Sequence, residues 1–200
     1  MSTTENEKKE RATSSKKAGG EISGIKKVVA MGIGAAIYIV ASRFAAIPTP
    51  IPNTTIQITY AILALISFIY GPVVGFGVGF IGHTISDMTA YGSPWFSWIF
   101  VSGFFGYTMG ILGKIVGLDN FNGVKIVKSI VGEIIICAIG WGVIAPLLDI
   151  LFYNEPKNKV FTQGIMAGAA NFISVAVLGT ILIFAYSKTL VNKGSLKKED

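Results

Sequence analysis

A small set of residues able to hold a polar solute is scattered through a chain otherwise built to avoid water. They are Arg43, Asn53, Gln57, Tyr60, Asp87, Tyr91, Trp95, Trp98, Asp149, Gln163 and Asn171. Polar side chains within a membrane are costly and therefore mark function or partnership. Their spacing is informative. Gly75, Gly79, His83 and Asp87 recur at steps of four, as do Trp141, Ala145 and Asp149, and Gln163, Ala167 and Asn171. On helices, each set shares one slowly drifting face. Amides and carboxylates exchange hydrogen bonds, and indoles stack. Aromatic walls with a few polar groups are the usual makings of a small-molecule pocket.

Each residue also has a plainer reading. Trp95 and Trp98 suit an interfacial aromatic belt as well as a pocket. His83 reads as a hydrogen-bonded packing residue. Arg43 can snorkel to headgroups, and Asp149 can pair with it or with Lys157 or Lys159. Glu133 stands apart in the inner half of its segment, either near the cytoplasmic interface or against a partner. Enzymatic signatures are missing: Gly113-Lys114 ends like a phosphate loop, but Ile115 replaces the required Ser/Thr and Thr108 the first glycine. One histidine and one cysteine (Cys137) leave no metal cluster, disulfide or nucleophile–base pair to assemble. Neither an enzyme nor a resident cofactor or metal is expected.

The elements that must position these groups follow from composition. Hydrophobic residues make up 52% of the 200, charged residues only 14%, and mean hydropathy is +0.62. This describes a membrane protein with room for five or six short spans and no soluble module. Residues 1–23 mix Lys and Arg with Glu and read as a disordered cytoplasmic tail, neither signal peptide nor nucleic-acid arm. Residues 24–188 form one membrane domain and 189–200 a second cytoplasmic tail. Apolar runs place spans at about 24–46, 55–70, 73–90, 94–112, 125–153 and 160–187, with Gly71-Pro72 breaking a run too long for one crossing. With six spans and both termini cytoplasmic, fourteen of the seventeen Lys/Arg fall inside, and only Arg43, Lys157 and Lys159 outside. The polar census then gathers at the outer end. Beside it runs Ile47-Pro-Thr-Pro-Ile-Pro-Asn-Thr-Thr-Ile-Gln-Ile-Thr-Tyr60, uncharged, stiffened by three prolines and rich in hydrogen-bonding groups. This segment suits a lid or wall carrying Asn53 and Gln57 better than a spacer.

Stripes of small residues (Ala30, Gly32, Gly34 and Ala36; Gly71, Gly75 and Gly79; Gly103, Gly106, Gly110 and Gly113) let helices approach closely in lipid. The later stripes read as packing within the chain, whereas the first could also dock a partner helix. With no ATPase motif and no inverted repeat evident, the chain looks like a capture subunit awaiting a motor.

Several segments carry a family resemblance: Ile47-Pro-Thr-Pro-Ile-Pro-Asn-Thr54, Gly71-Pro72 with Gly75-Phe-Gly-Val-Gly-Phe-Ile-Gly-His83, Tyr91-Gly-Ser-Pro-Trp95, Trp141-Gly-Val-Ile-Ala-Pro146 and Asn154-Glu-Pro-Lys-Asn-Lys-Val-Phe-Thr-Gln-Gly164. Over about 25–187 the chain resembles the substrate-binding S components of energy-coupling factor (ECF) vitamin transporters, within a group allied to the riboflavin type. The resemblance implies an all-α, six-helix bundle in a prokaryotic cytoplasmic membrane. Such a bundle captures a vitamin or precursor (a heterocycle of riboflavin, pyrimidine or pyridoxine type) from outside. It would work with a transmembrane T subunit and two ABC ATPases. Small residues on the first helix contact the T subunit in that family; carried over, these are Ala30, Gly32, Gly34 and Ala36, with glycines where alanines are usual. The expected ligand-binding set is Asn53, Gln57, Tyr60, Asp87, Trp95, Trp98, Trp141, Asp149, Gln163 and Asn171. Two other classes stay open: a standalone ion-coupled carrier or channel, and a scaffold without ligand.

Overall fold

The computed structural model describes residues 23–48, 50 and 55–190, with Thr55 and Ile56 described by backbone alone. Asn53, most of the proline-rich segment and both tails lie outside the described residues. Helix α1 (Gly24–Phe44) starts where Ser23 Oγ accepts the Lys26 N–H, leaving one fewer unpaired amide in the first turn. A short antiparallel ladder follows, β1 (Ala46–Pro48) against β2 (Thr55–Gln57), with Ala46 opposite Gln57. This pairing was not expected from a stretch read as irregular. It closes the base of the proline-rich segment and fixes where Gln57 emerges.

Helix α2 (Thr59–Tyr70) stops at Gly71, whose φ of 87° places it in a region L side chains rarely adopt. Pro72 then opens α3 (Pro72–Tyr91), where its missing N–H and fixed φ cost nothing. Helix α3 ends on Gly92 in the left-handed conformation. Helix α4 covers Phe96–Val116, α5 Gly123–Tyr153 and α6 Lys157–Thr189. Both long helices contain a π turn, at Gly140–Ile144 and Val175–Gly179. In α5 the Ala145 N–H reaches back to the Gly140 carbonyl just before Pro146, which has no N–H to give.

Among the described residues, four helices are long and apolar enough to cross a membrane: α1, α4, α5 and α6. Helix α2 is apolar but has only 12 residues. Helix α3 has the length, at 20 residues, but carries His83, Thr84, Ser86, Asp87 and Thr89. Helices α3 and α4 cross with backbones touching. A Cβ on Gly75 would run into the Gly106 carbonyl, and one on Gly106 into the Gly75 carbonyl. Their stripes are therefore internal packing. Large apolar side chains such as Ile25, Val28, Ile33 and Val40 on α1 point outward, as lipid-facing residues do.

The stripe on α1 divides in two. Gly34 is buried, and a Cβ there would meet the Val78 side chain at 2.7 Å and Ile66 at 3.2 Å; Ala30 packs against the core. Gly32 and Ala36 face outward, with open space around Gly32. Ala30 and Gly34 are thus corrected from candidate partner contacts to internal packing, because the helical period puts them on the opposite face from Gly32 and Ala36.

Candidate functional site

The C-terminal ends of α1, α3 and α5 and the N-terminal ends of α2, α4 and α6 meet at one end of the bundle, around a cavity of about 530 Å³. Nine of the expected ligand-binding residues line it: Gln57, Tyr60, Asp87, Trp95, Trp98, Trp141, Asp149, Gln163 and Asn171. Asn53, the tenth, lies outside the described residues.

Helix packing explains the convergence. The π turn in α5 carries Trp141, and α6 reaches it because Gly164 has no side chain; a Cβ there would collide with the Trp141 carbonyl. Trp141 is 1% exposed, and its ring meets Tyr60 edge-on at 4.8 Å, while Tyr60 meets Phe105 at 5.6 Å. These rings form a floor continuous with the apolar core.

The carboxylate of Asp149 organises the opposite wall. Its Oδ1 accepts the Trp95 indole N–H at 2.7 Å and the Ser97 hydroxyl, and its Oδ2 accepts the Trp98 indole N–H at 2.8 Å. Three donors on two oxygens leave Trp95 and Trp98 with only their faces and edges to offer a ligand. Trp95 also stacks on Tyr153 at 4.3 Å, and the Tyr153 hydroxyl accepts the Phe96 N–H at 3.1 Å. Asp149 pairs with no cation among the described residues; Lys159 pairs with Glu155 at 2.7 Å instead. Pairing with Arg43, Lys157 or Lys159, one sequence reading, is therefore corrected. The short partners Trp95, Ser97 and Trp98 were already at hand one helix away.

A second network crosses the cavity wall. Asp87 Oδ2 accepts the Trp95 backbone N–H at 3.1 Å, and Asp87 Oδ1 faces His83 Nε2 at 3.3 Å. His83 Nδ1 lies 2.6 Å from Ser102 Oγ, which lies 2.8 Å from the Tyr60 hydroxyl. Ser102 Oγ also donates to the Trp98 carbonyl at 3.1 Å, so the Tyr60 hydroxyl donates to Ser102. His83 is thus hydrogen-bonded, as read from sequence, and also lines the cavity. Asn171, 3% exposed, has an Oδ1 with no donor, and the Tyr38 hydroxyl likewise has no partner.

Several lining residues escaped the sequence reading, among them Tyr38, Ser42, Ser86, Glu155 and Lys159. A signal for two of them existed: Gly34, Tyr38 and Ser42 run at steps of four on the inner face of α1. Burial of Glu133 overturns one of its two expectations, contact with a partner. The residue is fully buried in α5, in line with Ser129 and Cys137, and neither carboxyl oxygen has a hydrogen-bond partner. Buried within the chain, it does not present itself to a partner.

Comparison with known proteins gives one consistent result. The family described as ECF-type riboflavin transporter, S component, matches residues 23–188, starting at the N-cap of α1. A UPF0397 protein of Lactobacillus gasseri is 52% identical over 179 residues, covering 88% of this chain and 96% of that relative. UPF0397 proteins of Lactobacillus acidophilus and of Staphylococcus aureus strain Newman are each 49% identical, over 180 and 177 residues, with the same coverage.

Proposed function

The chain belongs to the ECF-type riboflavin transporter S-component family, whose members are substrate-binding subunits of membrane transporters, and from that premise we propose that it captures a small vitamin-like heterocycle. The ligand enters the cavity from outside and leaves through a T subunit driven by two ABC ATPases. The observation that carries this reading is the cavity itself, with its volume of about 530 Å³, aromatic floor and few polar groups, which suits a compact ring system. Gln57, Tyr60, Asp87, Trp95, Trp98, Trp141, Gln163 and Asn171 form its contacts. Asp149 orients the two indoles and does not bond the ligand.

In this reading all six helical segments cross the bilayer and both termini are cytoplasmic. Helix α2, with 12 residues, is about 18 Å long at 1.5 Å per residue. It completes its crossing through β2 and the buried end of the bundle rather than alone. Gly32 and Ala36, outward on α1, form the surface for the T subunit. Pocket, orientation and partner face fit together: the ligand side is outside and the coupling face looks into the membrane.

Uptake separates the alternatives. Cells lacking their own S components would express the chain with or without a T subunit and ATPases, and accumulation of extracted, identified ligand would be followed. Accumulation only with the full set supports capture. Concentrative uptake by the chain alone means an ion-coupled carrier, and a purified protein that retains no small molecule means a scaffold.

A further inference from the structure

The interior of the cavity is rich in acceptors and aromatic faces and poor in cations. Asp87 and Asp149 line it at 7% and 2% exposure. No Lys or Arg among the described residues lies in ion-pairing reach of either, and His83 alone faces Asp87. The two lining cations are exposed: Lys159 is held by Glu155, and Arg43 stands at the last turn of α1.

Most donors on this wall are turned away from a ligand, the exception being the unpartnered Tyr38 hydroxyl. Both indole N–H groups on this wall go to Asp149. The Tyr60 hydroxyl is engaged with Ser102. An independent sign points the same way: the Asn171 Oδ1, in a side chain 3% exposed and lining the same cavity, has no donor. A buried carboxylate without a basic partner, as Asp149 is among the described residues, is costly, and electron-rich faces of Trp and Tyr attract cations most strongly where water is excluded.

Resting on the capture reading above, we infer that the ligand is a cation: a planar ring bearing positive charge and at least one N–H donor. Its charge lies against the Trp95, Trp98 and Trp141 faces near the two carboxylates, and its N–H meets Asn171. This differs from the usual picture of a neutral ring held by donors, because here both indole N–H groups of this wall are already engaged by Asp149.

The test is a titration of the full chain in lipid nanodiscs with three matched probes at neutral pH. 4-Aminoquinoline is a ring cation, 4-(hydroxymethyl)quinoline is neutral and quinoline-4-carboxylate is an anion. The cation should bind at least about tenfold more tightly than the neutral probe, with the carboxylate weaker still. Asp87→Asn should shrink that preference to within about threefold, while Asp87→Glu keeps it. Asp149→Asn serves as a second neutralisation should Asp87→Asn fail to fold. Equal or tighter binding of the neutral or anionic probe overturns the assignment, as does a preference that survives both neutralisations. No saturable binding of any probe overturns it too. The capture role is judged separately: uptake of an uncharged or acidic compound through the complete transporter would sink the cation while leaving capture intact.

Discussion

Removing the Asp149 carboxylate by Asp149→Ala tests the wall of the cavity most directly, because three donors lose their acceptor in one step. The Ser97 hydroxyl is 3% exposed and Trp98 is half-buried, whereas Trp95 is 38% exposed and can rehydrate. Orphaning a buried donor costs about 1–3 kcal/mol. Counting Ser97 and Trp98 in full, discounting Trp95, and allowing water into the space vacated by the carboxylate gives a loss of about 2–4 kcal/mol. Equilibrium unfolding in mixed micelles would measure it. The sequence holds three tryptophans, and all three line the cavity, so intrinsic emission reports this site alone. Emission should move to longer wavelength as two indoles meet water. Asp149→Asn keeps one acceptor oxygen and should fall between the two. A stability within about 1 kcal/mol of the parent, with unchanged emission, would show that Asp149 does not hold the indoles.

Other substitutions probe the frame around the site. Gly106→Ala drives a Cβ into the Gly75 carbonyl and should cost at least about 1–3 kcal/mol, whereas Gly142→Ala, with open space at its Cβ, should leave thermal unfolding unchanged or slightly raised. Equal behaviour of the two would refute the backbone contact between α3 and α4. Glu133→Met replaces an unpartnered buried carboxyl with an apolar chain of similar length and should raise stability by about 1–3 kcal/mol without changing ligand binding. A marked loss instead would reveal a partner for the carboxyl. Gly32→Leu adds bulk to an outward face and should leave binding by the purified chain intact while cutting uptake by the complete transporter at least about tenfold. Unimpaired uptake would remove Gly32 from the coupling surface.

What could be read from the chain alone follows from which interactions are periodic. The helices were legible because apolar runs and glycine punctuation are local. The fifth and sixth begin two and three residues earlier than expected, and the first ends two residues earlier. Asp87, Asp149 and Asn171 were legible as pocket residues because each continues a step-of-four row that starts from small or aromatic residues on an inward face. The ladder between Ala46–Pro48 and Thr55–Gln57 was hidden by its prolines, which read as irregular yet tolerate an isolated edge pairing. The π turns left only Gly140, Gly142 and Pro146 as traces, too common in membrane helices to identify a shift of one residue in hydrogen bonding.

The roles within the site were harder to read than its membership, for a physical reason. Sequence shows what a side chain can donate or accept, not which partner reaches it first. Asp149 looked like a ligand contact or half of an ion pair, yet Trp95, 54 residues away, and Trp98, 51 away, occupy it. Once those bonds exist, the two tryptophans stop being donors and their wall of the cavity offers a ligand only ring faces and edges. The same side chains, paired differently, would select a different ligand. In the capture reading, specificity therefore resides in which donors the protein keeps for itself, a choice that Asp149 sets through the two indoles.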